Sequence, residues 1–169
     1  MRMRDHRPAA CQTPFSPRAE CQVVMLLETS RFGPVQIEVE DILHFPHGLI
    51  GFEDEQHWVL LGDAENDSLG WLQSLNDAGL ALPVISPRRL AGDYQVRVVK
   101  SQIDPLELRP ADQAFVLNVI NRREHDFTVN LQAPVIINLD RRLGRQVMTL
   151  DEQPIALPIG HCGTTRQVA

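Results

Sequence analysis

The chain has 169 residues, 43% of them apolar and 22% charged, which is ordinary for one globular domain with a sizeable hydrophobic core. No apolar run approaches the roughly 20 residues that a membrane-spanning helix needs, so the sequence excludes such a helix. The 16 basic and 22 acidic residues give a net charge of −6. Because affinity for nucleic-acid phosphates comes from Lys and Arg, this balance argues against direct nucleic-acid binding and favours a basic partner.

The two ends of the chain differ from its middle. Residues 1–22 are rich in Arg, contain three prolines and show no apolar period, which predicts a flexible N-terminal tail. Residues 23–152 are predicted to form one domain, for which Met25 would serve equally well as a start, and residues 153–169 an irregular C-terminal segment. The cysteines are odd in number and match no metal-binding spacing, and no secretory signal precedes the domain, so we expect a reducing, cytoplasmic location. The three cysteines are Cys11, Cys21 and Cys162.

Ten short apolar stretches within the domain are predicted as strands. The clearest is the second, in which Val35, Ile37 and Val39 alternate with polar residues, a period of two that places the aliphatic side chains on one face. A single helical turn is predicted at residues 41–43, and a short helix limited by prolines at residues 103–112. The predicted strands are 23–29, 35–40, 58–61, 70–74, 80–85, 94–99, 114–121, 127–131, 135–139 and 146–150.

Turn residues separate these strands at short, regular intervals. Gly33, Gly48 and Gly51 are expected to supply backbone conformations that other residues adopt poorly. Pro83 indicates an edge strand or a bulge, and residues 140–144 a hairpin loop. The pattern predicts a mainly β fold, a compact antiparallel β-barrel-like single domain with one or two short helical turns.

The negative charge is concentrated in residues 28–67, here called the acidic segment. It holds ten acids and one base, Arg31, for a net charge of −9, whereas residues 1–22 carry +2 and residues 68–169 carry +1. This segment is either a solvated surface or a docking surface for a cationic partner. Its acids are Glu28, Glu38, Glu40, Asp41, Glu53, Asp54, Glu55, Asp63, Glu65 and Asp67.

The sequence carries no recognisable catalytic or cofactor-binding motif. Neither phosphate-binding glycine loop is present, and the carboxylates stand in polar surroundings that give no reason for a raised pKa. We therefore expect no enzyme, no cofactor and no metal. A small metal-dependent enzyme remains an alternative, with His44, His47 and His57 near Glu53 as ligands, although residues three apart on a strand point to opposite faces.

Four of the nine aromatic residues lie in the acidic segment, and Trp71 follows just after it. Phe45, Phe52, Trp58 and Trp71 are expected to fill the barrel, the alternative being that some are exposed as interface anchors. A second alternative function is a single-stranded nucleic-acid-binding barrel of the OB type, which requires aromatic rings beside a basic groove. The net charge of −9 on the acidic segment argues against this nucleic-acid-binding function.

Several motifs in order resemble those of the flagellar assembly factor FliW family, over about residues 26–151. Two of them are long and specific, an FPxGxxGFE segment that starts at Phe45 and a TVNLxAPxxIN segment that starts at Thr128. The others are Thr29-x-x-Phe32-Gly33, Trp71-Leu72-Gln73-Ser74, Asp93-Tyr94 and Gly144-x-Gln146-Val147.

The resemblance implies a non-enzymatic protein of the bacterial cytoplasm with a β-barrel-like fold. Members of that family bind the carbon storage regulator CsrA, a small basic RNA-binding dimer, and stop it from repressing translation of flagellin mRNA. They also bind flagellin, so that newly made flagellin occupies the protein and frees the regulator. No direct contact with nucleic acid or membrane is implied.

The residues and the resemblance together give candidate contact residues. Five acids are expected to face the basic regulator, namely Glu38, Glu40, Glu53, Asp54 and Glu55. Gln73 and Ser74 are also candidates for partner binding, because nothing in their local pattern requires them. In the TVNLxAPxxIN motif, Val135 and Ile137 should face the core with Ile136 on the opposite face.

Overall fold

The structure, a computed structural model, describes residues 23–123 and 126–159, and its secondary structure is almost entirely β. The tail at residues 1–22 and the three cysteines lie outside the described residues. Four short helical elements connect the strands of this part of the chain, the helix α1 (Lys100–Ile103) and 3-10 turns at Val39–Asp41, Pro87–Arg89 and Asp104–Leu106. Its strands are β1 (Val24–Thr29), β2 (Gly33–Glu38), β3 (Ile42–His44), β4 (His57–Gly62), β5 (Leu69–Ser74), β6 (Ala81–Ile85), β7 (Ala114–Arg123), β8 (Asp126–Val129), β9 (Val135–Asn138), β10 (Leu143–Gln146) and β11 (Leu157–Ile159).

Seven of these strands close into a barrel. Their order around it is β7-β6-β5-β4-β3-β10-β9, and the pairing of β9 with the first half of β7 completes the ring. The second half of β7 continues beyond the ring and pairs with β8, which pairs with β11. The predicted mainly β, barrel-like single domain is confirmed. One pair departs from the expected antiparallel arrangement, because β3 and β10 run parallel where His44 meets Leu143.

The interior of the barrel holds the main hydrophobic core. Phe45 and Trp58 are completely buried there, as expected from their size. The alternation in β9 is confirmed, since Val135 and Ile137 point into this core whereas Ile136 points outward. The buried members of the core are Leu43, Phe45, Leu49, Trp58, Leu72, Val84, Leu117, Val135 and Ile137.

A separate two-stranded hairpin covers one outer side of the barrel. Within the described residues β1 and β2 pair with each other alone, and Leu27 and Ile37 pack against Val59 on the outer face of β4. At the hairpin tip the guanidinium of Arg31 lies 3.8 Å from the ring centroid of Trp71, and Ser30 donates its backbone N–H to the Ala78 carbonyl at 2.8 Å. The strand β4 is therefore buried on both faces at Trp58 and Val59.

The segment 94–106 covers a second outer side of the barrel, and residues 94–99 are not the strand that was predicted. Val96 and Val98 do pack inward against the cluster that contains Ile136, as the period of two in their sequence predicts. A strand also needs a hydrogen-bonded neighbour, and this segment runs over side chains of β9 and β10 instead. The short helix expected at residues 103–112 lies earlier, at α1 and the 3-10 turn that follows it.

Other predicted boundaries moved for local reasons. The helical turn lies at Val39–Asp41, not at 41–43, because the Asp41 carboxylate accepts the N–H of Glu38 and so fixes the start of the turn. The tenth strand is β10, not residues 146–150. Gly144 belongs to β10, where it pairs with Ile137, and not to a hairpin loop. Its lack of a side chain leaves room for the Phe45 ring to pack onto the strand.

The C-terminal segment and Pro83 both lie where strand pairing is partial. Within the segment predicted as irregular, Leu157–Ile159 form the strand β11 and pair with β8, and residues 160–169 lie outside the described residues. Pro83 lies on a stretch of β6 that pairs with β5 but not with β7, since β6 and β7 pair only at two residue positions. Its missing N–H is tolerated there as on an edge strand.

Candidate functional site

The connection between β3 and β4, residues 45–56 and here called the acidic loop, is a tightly ordered structure. Gly48 and Gly51 have φ angles of +61° and +85°, as their predicted turn role requires. Gly48 donates its N–H to the Phe45 carbonyl at 2.9 Å, and Leu49 and Phe52 exchange backbone hydrogen bonds at 3.2 and 2.8 Å. The loop thus satisfies much of its own backbone hydrogen bonding.

Side chains from the barrel hold this loop in place. Gln146 on β10 accepts the N–H of Ile50 at 2.9 Å and donates its amide to the Ala133 carbonyl at 3.1 Å. The indole N–H of Trp58 reaches the Glu55 carbonyl at 2.9 Å. The bond from Gln146 ties the loop to a strand 96 residues away in sequence, so the shape of the loop is fixed by the barrel and not by the loop alone.

The acidic loop presents three consecutive carboxylates in different environments. Glu53 is exposed, and its carboxylate accepts the N–H of Gly51 at 2.9 Å, which together with its own N–H holds the pKa of Glu53 below its usual value. It is therefore charged at neutral pH. Asp54 is exposed, and within the described part of the chain no hydrogen bond or ion pair engages its carboxylate. Glu55 is half-buried and bonds to neighbouring side chains.

The structure does not gather the whole acidic segment onto one surface. Glu53, Asp54 and Glu55 precede β4, whereas Asp63 and the acids after it follow β4, and a strand of six residues separates the two groups by roughly 20 Å. Glu40 lies on the far side of β3 from the acidic loop. The three neighbouring acids are therefore the part of the prediction that forms one compact site.

Asp63, the first acid beyond β4, takes part in a different contact. The indole N–H of Trp71 donates to the Asp63 carboxylate at 2.9 Å, and this bond is the main reason why the pKa of Asp63 is lowered. Arg31 stacks over the same indole, so the one base of the acidic segment joins the hairpin tip to β5. Asp63 thereby stabilises the fold.

Gln73 and Ser74 are not available for partner binding, contrary to the prediction. Both are 0% exposed. The Gln73 amide lies within 3.1 Å of the carbonyls of Asp77 and Leu80, to which it donates. The Ser74 hydroxyl donates to the Glu55 carboxylate at 2.8 Å and accepts the N–H groups of two residues in the β5–β6 turn, Asn76 and Asp77. Sequence spacing gave no signal for these roles, because the partners come from turns.

Replacing Ser74 with alanine tests its role as a support of the acidic loop. The change leaves two N–H groups without their partner and removes one of the two hydrogen bonds to the Glu55 carboxylate, so we expect the free energy of unfolding to fall by about 1–3 kcal/mol. Urea denaturation measures this loss. Threonine keeps the hydroxyl and should lose less stability than alanine, and equal losses in the two variants would contradict the assigned hydrogen bonds.

The structure also bears on the two alternative functions, the metal-dependent enzyme and the nucleic-acid-binding barrel. His44 and His57 stack at 5.1 Å between ring centroids, but no group of three His, Cys, Asp or Glu side chains within residues 23–123 and 126–159 is placed to hold a metal ion. The rings of Phe45 and Trp58 are buried in the core and are not on a surface where bases stack. Over the same ranges, the structure has no helix with the length and apolar character of a membrane span.

The chain was compared with known proteins. The sequence profile of the FliW protein family matches residues 26–159. The flagellar assembly factor FliW of Bdellovibrio bacteriovorus is 36% identical over 129 residues, which is 75% of this chain and 74% of that protein. The FliW of Clostridium tetani is 35% identical over 131 residues, 76% of this chain and 90% of that protein.

A solved structure agrees with these sequence matches. A crystal structure of the flagellar assembly factor FliW superposes with a TM-score of 0.72 at 28% sequence identity, covering 79% of this chain and 94% of the other. The profile match covers the barrel, most of the outer hairpin and the strand β11. The chain described here therefore belongs to the FliW family of flagellar assembly factors.

Proposed function

We propose that this protein is a non-enzymatic regulator of flagellum assembly in the bacterial cytoplasm that acts by switching between two protein partners. It binds the carbon storage regulator CsrA and relieves repression of flagellin mRNA translation. It also binds flagellin in a chaperone-like manner, which frees the regulator again. The protein needs no cofactor for this role and contacts neither nucleic acid nor membrane.

The observation that carries the proposal is the ordered cluster of Glu53, Asp54 and Glu55 on the acidic loop. Two of the three carboxylates are exposed, and the backbone that presents them is fixed by Gly48, Gly51 and Gln146. A fixed negative cluster attracts a cationic protein over several ångströms and orients it during encounter. The regulator, as a basic RNA-binding protein, has the complementary charge.

Glu38 and Glu40 are placed in a secondary role by this proposal. They lie beyond β3, and the backbone N–H of Glu38 is bonded to the Asp41 carboxylate in the turn before that strand. Glu40 is exposed. A partner that centres on the acidic loop reaches these residues at the edge of its contact, where charges affect the rate of association more than the affinity.

Reversing the charge of Asp54 tests the contact. No hydrogen bond or ion pair among the described residues engages the Asp54 carboxylate, so Asp54→Lys changes charge without removing a structural bond, unlike changes at Glu53 or Glu55. We expect slower association with the regulator and a Kd raised on the order of tenfold at low salt, with a smaller difference at high salt. Stopped-flow kinetics and calorimetry across a salt series measure both.

The matched control is Asp67→Lys, which makes the same change in net charge at an exposed acid on the other side of β4. It should leave association close to that of the wild-type protein, because screening at physiological salt reduces interactions beyond about 8 Å. Equal effects of the two variants would mean that net charge, and not the acidic loop, attracts the regulator. A flagellin titration into the preformed complex that displaces no regulator would contradict the partner switch.

A further inference from the structure

Ile50 is an exposed aliphatic residue of the acidic loop. It is 61% exposed, while its neighbour Leu49 is buried in the barrel core. The N–H of Ile50 is bonded to Gln146, and glycines with positive φ stand at residues 48 and 51 on either side. The fold therefore holds this side chain in solvent at a fixed position, where water-exposed apolar area is unfavourable in the free protein.

Two clefts lie on either side of Ile50. The smaller, of about 150 Å³, is bounded by His47, Glu53 and Arg145 and carries one charge of each sign. The larger, of about 340 Å³, extends to the place where β6 and β7 separate. Its walls are mainly apolar, with amide groups at the rim, and they include Leu49, Phe52, Leu82, Val119, Ala133 and Asn121.

An apolar cleft beside an exposed aliphatic side chain held at a fixed position is typical of an anchor point in a protein interface. Affinity in protein interfaces concentrates at a few well-packed apolar contacts, and surrounding charges mainly set the rate and the choice of partner. The acids Glu53 and Asp54 follow Ile50 in the same loop, so the charge around Ile50 favours a partner with positive charge. In the smaller cleft Arg145 offsets Glu53, which leaves Asp54 and Glu55 as the net charge of the site.

We propose that Ile50 and the larger cleft are the apolar anchor point for the basic protein partner, whose contacting segment carries an aliphatic side chain next to Lys or Arg. The aliphatic side chain enters the larger cleft and packs on Ile50, and the cation lies over Asp54. This inference rests on the proposed function, to which it adds the apolar half of the contact. It assigns affinity to Ile50 and association rate to the carboxylates.

Calorimetry with the purified carbon storage regulator, wild-type protein and two alanine variants tests the anchor. Ile50→Ala should raise the Kd on the order of tenfold at unchanged Tm. Because the lost contact is apolar, this loss should be the same at low and high salt, unlike that of Asp54→Lys. The matched control is Leu150→Ala, since Leu150 is 65% exposed but lies beside Arg97, away from the loop. It should bind as the wild-type protein does.

A second variant tests the cleft without altering Ile50. Asn121 is exposed at the rim of the larger cleft, and Asn121→Trp should fill the cleft and weaken binding as well. If the wild-type protein binds the regulator and both Ile50→Ala and Asn121→Trp stay within about twofold of its Kd, the anchor is wrong and the proposed function stands. If the wild-type protein does not bind the regulator, the proposed function and this inference are both overturned.

Discussion

Replacing Trp58 with alanine is expected to lower the free energy of unfolding by about 3–5 kcal/mol, the largest loss from a single change that we predict for this protein. The side chain is 0% exposed and packs edge-on against Phe52, with 6.5 Å between ring centroids. Its removal leaves a large cavity in the middle of the barrel, where side chains from several strands pack together. Because the ring of strands restricts how far they can move, the cavity cannot close fully. Urea denaturation gives the loss directly, from the midpoint at constant slope.

The variant Trp58→Phe separates the two roles of this residue. Phenylalanine keeps most of the buried apolar volume but removes the indole N–H that the Glu55 carbonyl accepts at 2.9 Å. We expect a smaller loss of about 1–2 kcal/mol, combined with a disturbed acidic loop that shows as changed amide shifts at residues 53–55. An alanine variant that loses less than about 1 kcal/mol would contradict the assignment of Trp58 to the centre of the core.

Replacing Gly48 with alanine is expected to destabilise the protein by about 2–5 kcal/mol and to remodel the acidic loop. The φ of +61° alone costs an L-residue about 1–2 kcal/mol. An added Cβ would also lie 2.6 Å from the Cα of Glu53 and overlap the Phe52 carbonyl oxygen. Both are backbone atoms that cannot rotate away, so the loop must shift, and overpacking of this kind adds roughly 1–3 kcal/mol.

The matched control for this change is Gly51→Ala. Gly51 also has a positive φ, of +85°, but nothing lies within 4 Å of its would-be Cβ. It should therefore lose only the conformational part, about 1–2 kcal/mol. The difference in unfolding free energy between the two variants measures the steric contact at Gly48. If Gly51→Ala loses as much as Gly48→Ala, the close approach of the loop backbone has been assigned wrongly.

The site could be predicted from the sequence only in part. Counting charges located the acidic segment, because charge is a property of the residues themselves. Which acids share a surface depends on the direction of β4, which carries Asp63 to the far side of the strand from Glu53. Gln73 and Ser74 were predicted as contacts because their partners, turn carbonyls and the Glu55 carboxylate, cannot be seen in a local pattern.

Ile50 was missed for a related reason. In the sequence it is one aliphatic residue beside another, Leu49, and the pair reads as part of a turn between strands. The structure sends Leu49 into the barrel and Ile50 into solvent, since Gly48 and Gly51 set the path of the backbone and Gln146 fixes it from 96 residues away. The two glycines were visible as a signal, but the side to which each aliphatic residue turns was not.

The mainly β class, most of the strands, the turn glycines and the family can be predicted from the sequence alone, because alternation, turn residues and long motifs are local properties of the chain. The pairing of the strands, in contrast, is set by the three-dimensional fold. The fold places the apolar residues of 94–99 over the outside of the barrel without a ladder, and it joins β3 to β10 in parallel. The physical reason is that backbone hydrogen bonding and burial depend on neighbours distant in sequence, so the fold, and not the local pattern, selects the exposed face of the acidic loop.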